Sequence, residues 1–310
     1  MEEYHVPVLA DEVLSALRVR PAGLYVDGTL GGGGHTERIL QAGGNVAAFD
    51  KDPDAIAYAT ARLRKNPAFS GRYEIYRGDF KTCKAVLREA GITAIDGAVL
   101  DLGISSHQVD ESSRGFSYRF DGPLDMRMDP DATLTAADVV NGYDEARLAG
   151  LFREYGEERY AARIAKAIAI SRRVHAIETT GQLADIIRAV VPFDKSGHPA
   201  KRTFQAIRIE VNGELTGLAE AAEDIVSLLR PGGRLAVITF HSLEDRIIKQ
   251  TFRRLATDCL CDKSLPVCVC GHRAEIKEAG KYKPTDTELK RNPRAASATL
   301  RVAEKLPSDQ

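Results

Sequence analysis

Residues 26 to 36 read Val-Asp-Gly-Thr-Leu-Gly-Gly-Gly-Gly-His-Thr, with an apolar run before them and a helix-like segment after. Glycine at this density serves a backbone that must turn sharply and leave its main chain open to a ligand, because a Cβ would fill that space. The turn joins a strand to a helix, and the chain around it keeps the same rhythm. Short apolar runs at Leu24 to Val26, Asn45 to Phe49, Tyr73 to Tyr76 and Gly97 to Leu100 alternate with helical patterns. That alternation predicts βαβ units and a parallel sheet. The second helix has a clear start, with Asp52 as its N-cap and Pro53 at the first helical position, where a missing N–H costs nothing.

After Asp101 the pattern changes. Arg114 to Asp131, broken by Gly115, Gly122, Pro123 and Pro130, reads as an ordered loop. Helical spacing follows without strands, at Leu148, Leu151, Phe152 and Tyr155 and again at Leu183, Ile186, Ile187 and Val190, until Pro192. The α/β pattern then returns: a helix from about Ala219 to Leu229, a Pro231-Gly232-Gly233 turn, a fifth strand from Leu235 to Phe240, and a helix from Leu243 to Leu255. A last strand follows around Ala298, Leu300 and Val302. A chain of 310 residues has room for about two domains at roughly 150 residues each. The expected architecture is a doubly wound, Rossmann-like α/β sheet formed by 1–107 and 208–310, with a small all-α domain, 108–207, inserted for substrate recognition.

The ligand of the turn is narrowed by elimination and by the other strand ends. A dinucleotide fingerprint fails because Thr36 stands where its last glycine belongs, and a P-loop fails because no Gly-Lys-Ser/Thr follows. Asp50 ends the second strand, where a carboxylate can accept hydrogen bonds from the hydroxyls of a ribose. Gly78-Asp79-Phe80 closes the third with an acid and an aromatic face for adenine, and Asp101 closes the fourth. Ligands of such sheets sit at the carboxyl ends of the strands, so these ends describe one crevice.

This arrangement, with Leu229-Arg230-Pro231-Gly232-Gly233 before the fifth strand, resembles the class I S-adenosylmethionine methyltransferases. The resemblance implies S-adenosyl-L-methionine as cofactor, with Gly33, Gly34 and His35 against its methionine part, Asp50 against its ribose, and Asp79 and Phe80 by its adenine. A narrower likeness runs through Val6 to Leu9, Asp27 to Thr36, Asp101 to Ser106 (DLGISS), Arg114 to Ser117, and Asp121 to Asp129 (DGPLDMRMD). It continues through Tyr155 to Glu158, Pro199 to Asn212 (PAKRTFQAIRIEVN) and Thr239 to Arg246 (TFHSLEDR). Over nearly the whole chain, in order, these stretches resemble the bacterial ribosomal RNA small-subunit methyltransferase H family. That resemblance implies methylation of the exocyclic N4 of a cytidine in the decoding region of 16S ribosomal RNA. It adds Asp101 and Gln108 to the cofactor contacts. The sequence departs from the family at His107, commonly proline, and at Ala296, where a second arginine usually follows Asn292-Pro293-Arg294.

An amino-group target suits the residues. Methylation at cytosine C5 needs a cysteine nucleophile, and Thr239-Phe240-His241-Ser242 offers none. A ring amine is a poor nucleophile, so it must be held in line and its hydrogens accepted. Asp101 is the leading acceptor, with Phe240 as a stacking partner. His241 and Ser242, with Glu244, form a second catalytic cluster. In the competing reading Ser242 simply caps the next helix. Cys83 reads as structural.

The net charge of −1 gives no whole-molecule pull on a polyanion, so RNA would need a local patch. The better candidate is the tail, with Lys281, Lys283, Lys290, Arg291 and Arg294; the other lies in the insertion, where Arg153, Arg159 and Arg163 intermix with acids. Four of the five cysteines crowd into Cys259-x-Cys261 and Cys268-x-Cys270, with His272 nearby. The tract is either a structural zinc site or a loop of reduced thiols, and one residue within each pair is fewer than such sites usually have. An odd count of cysteines, an acidic start at Glu2-Glu3 and no apolar run of about 18 residues point away from export and membranes, toward the cytoplasm. A homodimer is an open expectation. The alternatives are a methyltransferase of another nucleic acid, or a ribosome-associated protein that holds the cofactor without using it.

Overall fold

A computed structural model describes residues 7–192, 197–262, 265 and 267–307; Val6 of the first family stretch lies outside them, as do Met1 to His5. The chain divides into two compact units, 1–103 with 217–310, and 104–216.

The first unit is built on a seven-stranded sheet. In chain order its elements are α1 (Ala10–Leu17), β1 (Leu24–Asp27), α2 (Gly34–Gln41), β2 (Asn45–Asp50), α3 (Pro53–Leu63), β3 (Tyr73–Arg77), α4 (Cys83–Glu89) and β4 (Ile95–Asp101). The second unit contributes α5 (Ser106–Asp110), α6 (Ala136–Gly142), α7 (Glu145–Glu154), α8 (Ala161–Ser171), α9 (Thr180–Val190) and α10 (Lys201–Asn212). The first unit then resumes with α11 (Leu218–Leu228), β5 (Leu229–Thr239), α12 (Ser242–Leu255), β6 (Ile276–Tyr282), α13 (Asp286–Arg291) and β7 (Thr299–Lys305). Strand order is β3-β2-β1-β4-β5-β7-β6. The first five pair in parallel, whereas β7 runs antiparallel to β5 and β6 to β7. The order reverses between β1 and β4, as in a doubly wound sheet, and both faces are covered, so β2 and β4 are apolar almost throughout.

Three details depart from the sequence reading. β5 begins at Leu229: Leu229 pairs with Ile95 and Arg234 with Gly97, so the Pro-Gly-Gly stretch bulges out of a strand already begun, and the strand ends at Thr239. β6 went unpredicted because only Ile276 of its seven residues is buried, and an exposed edge strand carries no apolar alternation. The boundary expected at 207 would cut α10, but Phe204, Ala206, Ile207 and Val211 all pack in the helical core of 104–216, so the whole helix belongs there.

In the helical unit, Leu148, Phe152, Leu183 and Ile187, picked out by helical spacing, are fully buried in the core together with Ile164 and Ile168. Its long loop is held by side chains that bond to backbone. Arg114 donates to the carbonyls of Arg127 and Met128, while Arg127 donates to those of Pro130 and Ala132 and forks onto Asp125. The Asn212 side chain accepts from Met128 N–H at 2.7 Å and donates to the Met126 carbonyl at 2.8 Å. Among the described residues, no helix is long and apolar enough to cross a membrane.

Candidate functional site

The parallel register brings the strand ends to one level. Asp27 of β1 stands opposite Ala48 of β2 and Val99 of β4, so Asp50 and Asp101 both extend two residues past it; Asp50 in turn pairs with Arg77, and Asp101 with Ile238. The chain therefore leaves β1, β2, β3, β4 and β5 along a single carboxyl edge.

The glycine turn is fastened to this edge. Leu30 N–H donates to the Phe49 carbonyl at 2.9 Å, Gly31 N–H to Asp50 Oδ2 at 2.8 Å, and Asp101 N–H to Thr29 Oγ1 at 2.6 Å. A Cβ on Gly28 would lie 2.3 Å from Leu100 Cδ2 and 2.9 Å from Phe80 Cβ, so this position must stay bare for the third strand's loop to close over it. Gly33 caps α2 at φ +77°, a conformation other residues adopt only under strain.

Behind the turn lie buried charges. Asp27 is fully buried and accepts from Thr29 N–H at 3.2 Å and from the Thr36 hydroxyl at 2.7 Å. Burial pushes its carboxyl up, against the pull of His35. The His35 ring is also buried, and its Nε2 lies 3.4 Å from Asp101 Oδ2. Burial alone would lower the imidazole pKa, but the carboxylates of Asp101 and Asp27 outweigh it and the net shift is upward. Among the described residues, neither nitrogen of His35 makes a hydrogen bond, nor does Asp101 Oδ1. Asp50 accepts from Gly31 and Asp52 N–H, yet burial still lifts its carboxyl to about 6. Asp79 accepts from Lys81 N–H and lies 3.5 Å from Lys51 Nζ, and Phe80 begins a short 3-10 turn beside Gly28.

At the end of β5 the cap of α12 is His241, and Ser242 is the first residue of the helix. The imidazole reaches back to Glu244 N–H through Nδ1 at 3.4 Å, while Glu244 Oε2 accepts from the N–H groups of Phe240 and His241. The reading of Ser242 as the cap is thus corrected, since imidazole and carboxylate together close the reciprocal box. Glu244 is 2% exposed, with Oε1 3.1 Å from His241 Nε2. Phe240 packs beside Gly103, where an added Cβ would meet its ring at 3.3 Å. Asp245, next along, grips Arg301 through two bonds of 2.7 and 2.9 Å that hold its carboxyl low, helped by the charges of Lys281 and Lys283.

The structure thus brings together Gly33, Gly34, His35, Asp50, Asp79, Phe80 and Asp101, with His241 and Ser242 at the adjoining strand end. Gln108 belongs to the other unit, where its side chain accepts from Ser105 N–H in the capping box of α5. Lys281, Lys283, Lys290, Arg291 and Arg294 are all exposed, along β6, its link to α13, α13 and the turn after it. Asp27 is missing from the residues singled out by sequence, whereas Glu244 was grouped there with His241 and Ser242. Asp27 carried the same signal as its neighbours, an acid ending a strand. Cys83 is buried in the core, and burial pushes its thiol up to about 12, in keeping with a structural place.

The sequence profile of the MraW methylase family matches residues 2–306. The chain belongs to the MraW methylase family. Among relatives, the ribosomal RNA small subunit methyltransferase H of Heliobacterium modesticaldum is 51% identical over 313 residues, covering 98% of this chain and 99% of that protein. The protein of the same name from Symbiobacterium thermophilum is 50% identical over 319 residues, covering 100% and 99%. In this MraW family chain, the stretches that carried the resemblance divide between the two units. Asp27 to Thr36, Asp101 to Gly103 and Thr239 to Arg246 build the carboxyl edge, and Arg114 to Asp129 builds the loop of the helical unit.

Proposed function

We propose that this methylase transfers the methyl group of S-adenosyl-L-methionine to the exocyclic N4 of a cytidine in the decoding region of 16S ribosomal RNA, in the cytoplasm. The observation that carries the reading is the pair formed by Asp101 and His35: a partly buried carboxylate at a strand end, whose buried Oδ1 has no hydrogen bond among the described residues, beside a glycine-rich turn. A buried acceptor without a partner is costly, and it is tolerated where a ligand or substrate supplies the missing donor. The names of the relatives, about half identical over nearly their full length, support the ribosomal substrate.

The residues fit the cofactor. Gly33 and Gly34 would lie against its methionine part, and each oxygen of Asp50 keeps a second lone pair for a ribose hydroxyl. Asp79 and Phe80 would flank the adenine. When bound, S-adenosyl-L-methionine supplies a methyl group on a sulfonium sulfur, the electrophile for N4. Asp101 accepts a hydrogen bond from the amine and orients its lone pair, with the His35 imidazole 3.4 Å from the other carboxylate oxygen. His241 and Ser242 border the base, Phe240 stacks on it, and 104–216 recognises the surrounding RNA. Lys281, Lys283, Lys290, Arg291 and Arg294 neutralise backbone phosphate, offsetting the few kcal/mol needed to unstack a base.

The test is methyl transfer from labelled cofactor to assembled small subunits, naked ribosomal RNA and DNA, with nucleoside analysis of the product. N4-methylcytidine in the ribosomal RNA is the expected result. Label confined to DNA, or found as C5-methylcytidine, would overturn the substrate, and cofactor binding without transfer to any of the three would overturn the catalysis.

A further inference from the structure

The loop between α12 and β6 is the longest stretch of the first unit with neither helix nor strand among its described residues. It carries Cys259, Cys261, Cys268 and Cys270. The 14 residues of α12 separate it from His241 by about 20 Å of helix axis, so its chemistry is independent of the carboxyl edge.

The four thiols come together. Cys268 Sγ lies 3.4 Å from that of Cys259, 3.9 Å from that of Cys261 and 3.6 Å from that of Cys270, and the Cys270 and Cys259 sulfurs are 3.9 Å apart. All four lie within 4.8 Å of one another, and none is in a disulfide. A tetrahedron of thiolates around zinc, with bonds of roughly 2.3 Å, has edges of about 3.8 Å. The single residue inside each pair, which looked too tight in sequence, suits an extended backbone, where residues two apart point the same way.

The intervening residues add a reciprocal feature. Leu260 N–H donates to Cys270 Sγ at 3.4 Å, and Val269 N–H donates to Cys261 Sγ at 3.3 Å. Each pair thus offers a backbone donor to a sulfur of the other, as thiolates carrying negative charge require. His272 is engaged elsewhere, its Nε2 3.0 Å from the Arg254 carbonyl, which leaves a closed set of four sulfurs with no open position for a reacting group.

The geometry assigns a structural zinc site to Cys259, Cys261, Cys268 and Cys270, in which one divalent zinc ion displaces the thiol protons and staples the loop between α12 and β6. The site also accounts for the exposure of Val267 and Val269, at 70% and 78%: without apolar burial, the loop needs another source of order.

The test is metal analysis of the full chain purified under reducing conditions without chelator, followed by replacement of the metal with cobalt(II). About one zinc per chain is expected, with the ligand-field and sulfur-to-metal charge-transfer bands of a tetrahedral tetrathiolate centre after exchange. Cys268→Ser should lose most of the metal and retain cofactor affinity within about twofold, since the loop is remote from the crevice. Three results would overturn the assignment: less than about a tenth of an equivalent of zinc after reconstitution, cobalt bands lacking thiolate character, or disulfides by intact mass in the freshly isolated protein. The cobalt spectrum is read on the unaltered chain, so it decides the question even if the variant does not fold.

Discussion

The carboxyl edge of the sheet and the loop of residues 114–131 are equally rich in family sequence, yet they treat polar groups in opposite ways. In the loop, Arg114, Asp125 and Arg127 bond to backbone or to one another, and Asn212 of α10 bonds to the loop backbone. At the edge, His35, Asp101 and His241 each hold a buried polar atom without a hydrogen bond among the described residues. Satisfied polarity costs little and rigidifies; unsatisfied polarity is a charge on stability that persists where chemistry uses it. A motif in the sequence marks both, and only the accounting of donors and acceptors tells architecture from site.

The sharpest way to break this contrast is to alter Asp101. Asp101→Asn keeps the shape and removes the charged acceptor, so turnover should fall by about 100- to 1000-fold while the thermal midpoint moves by no more than roughly 2 °C. Turnover within threefold of the parent would put Asp101 on the architectural side. The reverse pattern is expected of Asn212→Ala, which strands Met128 N–H and the Met126 carbonyl. Stability of the helical unit should drop by about 2 kcal/mol, read as a lower denaturation midpoint, and cofactor affinity should hold. A variant as stable as the parent would show those bonds to be incidental.

The Asp50 carboxyl, lifted by burial to about 6, gives a smaller effect with a definite sign. Ribose hydroxyls donate to the ionised form, so affinity is full above the shifted value and is lost as pH falls through it. Between pH 7 and pH 5 the cofactor Kd, measured calorimetrically, should rise about tenfold, and Asp50→Asn should flatten the profile. A parent profile already flat would remove Asp50 from the cofactor site. The smallest effect belongs to the exposed tail. Replacing Lys281 and Lys283 with alanine should weaken RNA binding a few-fold and reduce the slope of log affinity against log salt by about 1 to 2. An unchanged slope would place the RNA elsewhere.

Much of this was legible in the chain. The first four strands, Asp52 as a cap, the helical core and the acids at the strand ends all rest on local period or on residues a few positions apart, which a sequence displays directly. The misses share a cause. β6 is an edge strand without alternation, α10 is assigned by what it packs against, and the cap of α12 depends on how an imidazole folds back on Glu244. Local chemistry was consistent with the wrong answer in each case.

By itself, the sequence determined the alternation of strands and helices, the glycine turn and the acids that close each strand, because side-chain period and backbone freedom are properties of neighbouring residues. Tertiary structure alone decided that His35 faces Asp101, that Asp27 is sealed beneath the turn, and that four thiols in two short pairs meet around one point. Contacts between residues distant in the chain are fixed by sheet register and packing, and buried charges take their pKa values from surroundings that no single segment contains.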